Sequence, residues 1–159
     1  MKLLIILIFL ISYYSFSNNN NDNDNIEKKI QKGLIVYKKA NCMGCHSWHG
    51  KGGGGYGAGV SLRTKSYSID ELINIINCGI PGTGMPYFNK NSYVTKKCYG
   101  TLMEDDVENK PKNSKKFINT VQTQNLAVFI YHELQNKELD KKYCHKFFNK
   151  DSKVCKIIK

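Results

Sequence analysis

The stretch NCMGCHSWHG, residues 41 to 50, constrains this chain more than any other. Cys42 and Cys45 are separated by two residues, and His46 follows the second cysteine directly. Three chemistries use such a pair: a redox dithiol, a metal clip, and the covalent attachment of a haem. A redox dithiol sits in a strand-then-helix setting of a mixed fold, whereas here the pair follows one helix in a pattern without strand-like alternation. A structural zinc site takes four ligands, commonly from two spaced pairs. Cys42, Cys45 and His46 offer three, no second Cys-x-x-Cys exists, and adjacent Cys45 and His46 fit poorly on one small tetrahedral ion. Haem attachment matches the spacing for a physical reason. Two thiols three positions apart add to the two vinyl groups on one edge of a porphyrin, and the next residue projects its imidazole to the iron.

The N-terminal MKLLIILIFLISYYSFS combines an early lysine, an apolar run from Leu3, and small Ser15 and Ser17 placed like the −3 and −1 positions of a cleavage site. Residues 1–17 therefore read as a secretory signal peptide. An uncleaved membrane anchor is the competing reading, but the apolar stretch stops at Phe16, short of the roughly 20 residues a spanning helix needs. The chain is expected to be exported to a periplasm, meeting a membrane only through a partner unless the signal segment is retained. Asparagine-rich residues 18–25 are too polar to bury anything and read as a disordered lead-in. Without the signal segment, 142 of the 159 residues remain, enough for one small domain.

Formal charge is +11, or +10 once Lys2 is removed with the signal. Such basicity suits nucleic acid, an anionic membrane or an acidic protein. An exported chain meets little nucleic acid, so an acidic redox protein is the expected partner. Four cysteines lie outside the motif, and an exporting compartment oxidises free thiols. Three pairings are open to them; nearest-neighbour pairing joins Cys78 to Cys98 and Cys144 to Cys155.

Helical periodicity appears three times. Ile26, Ile30, Leu34 and Tyr37 recur at helical spacing in a helix that delivers Cys42. SIDELINIIN opens with Ser68 and Glu71 as a capping box and ends near Cys78-Gly79. Leu126, Phe129, Ile130 and Leu134 mark a third helix, with Thr123 as its expected cap. Between the first two, GKGGGGYGAG lets the backbone take unusual angles or approach something flat and bulky.

Low-spin electron transfer at a haem requires a second axial ligand. CGIPGTGMPYF supplies Met85, framed by Gly84 and Pro86 on a tight loop. Met43 lies inside the motif and does not reach the opposite face, and Met103 in LMEDD lacks the glycine-proline frame. His49, His132 and His145 read as surface or packing histidines. Trp48, Tyr56, Tyr87 and Phe88 are expected to pack round the porphyrin.

Gly33 and Tyr37 before the motif, CMGCH at 42–46, Gly-x-Gly-Met-Pro-x-Phe around Met85 and LAVFIYHEL in the last helix together resemble the class I c-type cytochromes, over residues 26–135. The resemblance implies an all-α, small cytochrome c fold, three or more helices wrapped round one covalently attached haem c. It implies Cys42 and Cys45 as the thioether sites, His46 and Met85 as the axial ligands of the iron, and a close helix crossing at Gly33 against Phe129 or Tyr131. Family members often carry a proline after the motif whose carbonyl accepts the proximal histidine's other ring proton. Here that region reads GAGVSLR, so another carbonyl near Val60 is expected in its place. The implied function is that of a soluble monohaem electron carrier, not an enzyme, working with a terminal oxidase or a periplasmic dehydrogenase. Lys38, Lys39, Lys51 and Lys90 are expected near the haem edge, and residues 136–159 form a basic, disulfide-linked extension. A haem-bearing subunit of a larger respiratory or dehydrogenase complex is the alternative. A small-molecule haem enzyme or gas sensor is a further one, but it needs an open iron site, against which the framed Met85 argues.

Overall fold

A computed structural model describes residues 22–56, 59–94, 98–99 and 109–158. The signal segment 1–17, residues 18–21 of the polar lead-in and Met103 lie outside the described residues. The described residues are helical and contain no strand, only an isolated parallel bridge between Tyr87 and Asn113.

Helix α1 covers residues 22–39 and buries Ile30, Val36 and Tyr37 on one face, with Ile26 and Leu34 packed beside them. Residues 22–25, expected in the lead-in, belong to this helix. Acidic side chains favour the positive end of a helix dipole, and Asp24 pairs with Lys28 one turn on at 2.6 Å. Asn41, at φ +65°, turns the chain out of α1 in the left-handed conformation common after helix ends. The motif then forms a single turn, α2, Met43–His46.

Helix α3, Ile69–Cys78, carries the expected capping box: Glu71 N donates to Ser68 Oγ at 3.2 Å, and Ser68 N donates to Glu71 Oε2 at 2.7 Å. It buries Leu72, Ile76, Asn77 and Cys78. Helix α4, Thr120–Phe129, is capped by Asn119 rather than by Thr123. Asn119 Oδ1 accepts from Gln122 N while Asn119 N donates to Gln122 Oε1, both at 2.9 Å, a reciprocal cap that begins the helix one turn earlier than the apolar spacing suggests. Thr123 is instead fully buried against α3, its hydroxyl donating to Asn77 Oδ1 at 3.1 Å. The last turn, Ile130–Leu134, widens to a π-helix closed by Gln135 N on Ile130 O at 3.0 Å.

Helix α4 crosses α1 at Gly33. A methyl group there would collide with Asn125 O and lie 2.5 Å from Phe129 Cβ, so only glycine admits this approach. The expected partner Phe129 is confirmed; Tyr131 is exposed. One turn along, the buried rings of Tyr37 and Phe129 meet at 5.4 Å. Two short helices follow, α5 Lys141–Cys144 and α6 Lys153–Lys156, joined by a Cys144–Cys155 disulfide. This tail is not a free appendage, because Tyr143 belongs to the same apolar cluster as Tyr37, Phe129 and Leu134. Cys78–Cys98 is the second disulfide, so both nearest-neighbour pairings are present.

Candidate functional site

Cys42 and Cys45 are the chain's two unbridged cysteines. Cys42 follows directly from α1: its N–H bonds Tyr37 O at 3.1 Å, and its side chain packs against the main apolar cluster. Burial, opposed by its own backbone hydrogen bond and reinforced by Cys45, pushes its thiol pKa up to about 12. At neutral pH Cys42 is therefore a thiol rather than a thiolate. Tyr37, fully buried, donates its hydroxyl to Ser47 O at 2.7 Å, and so braces α1 against the residue that follows the motif. Burial holds the Tyr37 hydroxyl well above the ordinary phenol range, so it remains a donor.

His46 Nδ1 lies 2.9 Å from Val60 O. A carbonyl only accepts, so Nδ1 carries the proton and the neutral ring keeps its lone pair on Nε2. This is the substitute for the missing proline carbonyl, at the residue the sequence points to. Burial pushes the His46 imidazole below its ordinary range and so favours the neutral ring, while the Val60 bond opposes that shift.

The glycine-rich segment lies on the motif's own backbone. Gly54 N donates to Cys45 O at 2.9 Å and Tyr56 N to Gly44 O at 3.0 Å. A Cβ on Gly54 would collide with Gly44 O and one on Gly59 with Cys45 O, so the close approach these glycines permit is to the CMGC turn itself.

Met85 is half-buried and packs against the same apolar cluster as Cys42. Its loop is closed by Ile80 N on Met85 O at 3.2 Å, and Met85 N donates to Thr83 Oγ1 at 3.2 Å. At its base Gly79 has φ +68°, and a side chain there would press on Met85 O at 2.7 Å. The buried Cys78–Cys98 bridge, the ring of Tyr93 and that of Tyr87 form a small second cluster beneath the loop. Tyr93 and Tyr99 donate their hydroxyls to Cys78 O and Gly79 O at 2.8 and 2.7 Å.

The four aromatic residues expected near the porphyrin lie in different surroundings. Trp48 packs on the tail, stacked with Tyr143 at 6.4 Å and edge-on to Phe148 at 5.0 Å. Tyr56 is 81% exposed, Tyr87 belongs to the disulfide cluster, and Phe88 to the main one. Lys38 also faces the tail: its ammonium bonds Lys146 O at 2.6 Å and lies over the Phe147 ring. His49 accepts from Lys51 N at 3.0 Å, and His145 is exposed. Arg63, which no local pattern marks, is buried and donates to His49 O, Lys137 O and Glu138 O. A cleft of about 480 Å³ beside the π-helical turn, lined by Tyr67, His132 and Gln135 among others, shares no residue with the motif or the Met85 loop.

Among the described residues no three His, Cys, Asp or Glu side chains converge as a metal-ion cluster. The donor set does fit a haem: two unbridged thiols spaced for two vinyl groups, an imidazole with Nδ1 engaged and Nε2 free, and a thioether on a braced loop. Residues 28–104 match the family model described as cytochrome C oxidase, cbb3-type, subunit III. These residues belong to the class I c-type cytochromes. Neither the curated proteins nor the solved structures offer a significant match. Membership of this cytochrome family implies covalently bound haem c and electron transfer, with an oxidase as the type of redox partner. Among the described residues no helix of the cytochrome is long and apolar enough to cross a membrane.

Proposed function

We propose that the chain is an exported monohaem electron carrier in which Cys42 and Cys45 hold haem c by thioether bonds, His46 is the proximal ligand and Met85 the distal one. The observation that carries this reading is the state of the motif: two cysteines left unbridged where the other four pair, beside an imidazole whose Nδ1 is fixed on Val60 O. When bound, the haem supplies reversible one-electron chemistry at iron, with a thioether opposite imidazole favouring the reduced state. The protein's part is to hold its donors still. Tyr37 and the glycine segment fix the motif turn, the Val60 bond fixes the imidazole's tautomer, and the Cys78–Cys98 bridge with Thr83 braces the loop that carries the sulfur. Little movement then accompanies gain or loss of an electron.

The strong positive charge suits docking on an acidic redox partner, a terminal oxidase or a periplasmic dehydrogenase, with salt-dependent association. Lys39, Lys51 and Lys90 are exposed and free to contribute; Lys38 is engaged with the tail. A second reading, a haem-bearing subunit within a larger oxidase complex, is favoured by the description of the matching family model.

Met85→Ala tests the ligand assignment. The variant is expected to keep its covalent haem, lose the thioether-iron absorption band of the oxidised protein, fall in potential and take up exogenous imidazole. Met103→Ala is the control and is expected to change none of these. The reverse pattern would place the distal ligand elsewhere.

A further inference from the structure

Val60 is not a proline, so no ring locks its φ, and the direction of its carbonyl depends on what holds the segment around it. Val60 itself is 53% exposed and has little packing of its own. The anchors lie to either side. Gly59 sits on Cys45 O, and Leu62 N donates to Gly50 O at 2.8 Å. Three residues after Val60 comes Arg63, 6% exposed, whose side chain reaches carbonyls far away in sequence. Its Nε donates to His49 O at 2.6 Å, and its Nη1 donates to Lys137 O at 2.8 Å and Glu138 O at 3.2 Å. Its own carbonyl accepts from Asn136 N at 2.9 Å. The guanidinium lies over the Tyr143 ring, 4.6 Å from its centre, and Tyr143 returns the connection by donating its hydroxyl to Trp48 O at 2.9 Å.

One planar fork thus joins three pieces of chain: the residues just after His46, the segment bearing the Val60 carbonyl, and the start of the C-terminal extension. Lysine offers no such fork, because its donors diverge from a single nitrogen on a flexible stem. We propose that Arg63 is a positioning residue that holds the Val60 carbonyl on His46 Nδ1, and that it does so by bracing the segment against the disulfide-closed extension. The extension is then part of the device that orients the proximal imidazole. A carbonyl held on Nδ1–H makes the other ring nitrogen a better donor, so loosening this brace weakens His46 as an iron ligand. That consequence rests on the reading of His46 as a ligand. The bond itself does not, and the test reads the bond.

The experiment is hydrogen exchange followed by NMR on the full chain as purified, comparing the His46 Nδ1–H with the amide of Leu126 in the core of α4. Arg63→Lys keeps the charge and loses the fork. It is expected to speed exchange at His46 about tenfold more than at Leu126, the rate ratio expected if about 1.4 kcal/mol of local protection is lost. Tyr143→Phe keeps the ring, removes the hydroxyl that bonds Trp48 O and meets Arg63, and is expected to move His46 in the same direction by a few-fold. It also keeps the test intact if Arg63→Lys does not fold. Acceleration of both sites in equal measure would mean that Arg63 only stabilises the whole fold, and unchanged His46 exchange in the variants would mean that Val60 is held without it. Either result overturns the proposal. A pyridine haemochrome assay on the same wild-type sample reports haem attachment separately.

Discussion

Gly33→Ala is the sharpest test of how the first helix is held. Two effects of opposite sign meet at this position. Alanine raises the intrinsic helix stability of α1 by up to about 1 kcal/mol. Against that, the new methyl would overlap Asn125 O, stand 2.5 Å from Phe129 Cβ and 2.8 Å from the Asn125 carbonyl carbon. None of these is the tip of a flexible side chain, so the helices themselves must separate. Overpacking of this kind costs about 3 kcal/mol, and separation also opens the buried Tyr37–Phe129 contact one turn away. The net expectation is a loss of about 2 kcal/mol, which for a domain of this size is a fall in Tm of roughly 6–10 °C. Thermal unfolding followed by circular dichroism on the haem-loaded protein checks it. An unchanged or higher Tm would show that α1 and α4 do not cross at this glycine.

Replacing both Cys78 and Cys98 by serine removes a bridge spanning 20 residues; chain-entropy arguments put its stabilisation at about 3 kcal/mol, and denaturant unfolding should show a loss of that order, with easier displacement of Met85 by imidazole. The capping carboxylate of Glu71 titrates below its usual 4.5 because it accepts from Ser68 N and Oγ. Its folded-state pKa is thus depressed, so its stabilisation is present above the ordinary value and lost as pH falls through the lower folded pKa. The Tm difference between wild type and Glu71→Gln should therefore be seen at neutral pH and vanish under strong acid.

The features legible in the sequence were local or chemically exclusive. Cys42, Cys45 and His46 stand out because few chemistries tolerate that spacing. Ser68 and Glu71 announce their helix because a capping box is closed within four residues. The disulfide pairs were accessible as the shortest of three choices, and Gly33 and the Val60 carbonyl came through the family resemblance. The structure added relationships that no periodicity encodes. Arg63 looks like any surface cation until residues 49, 137 and 138 are brought round it. Trp48 sits beside the motif in sequence, yet it also packs on Tyr143, nearly a hundred residues away, which no local pattern announces. Thr123 resembled a cap because its hydroxyl needs a partner, but the partner was Asn77 on a different helix.

The measurement closest to the central claim is mass spectrometry of the mature protein and of the peptide spanning residues 42–46, read alongside its pyridine haemochrome spectrum. The expected result is one haem per chain, carried on that peptide by two thioether bonds and lost from it when Cys42 and Cys45 are both replaced by alanine. A wild-type chain matured in an exporting host that instead returns this peptide with a Cys42–Cys45 disulfide, or with free thiols and no haem, would contradict it.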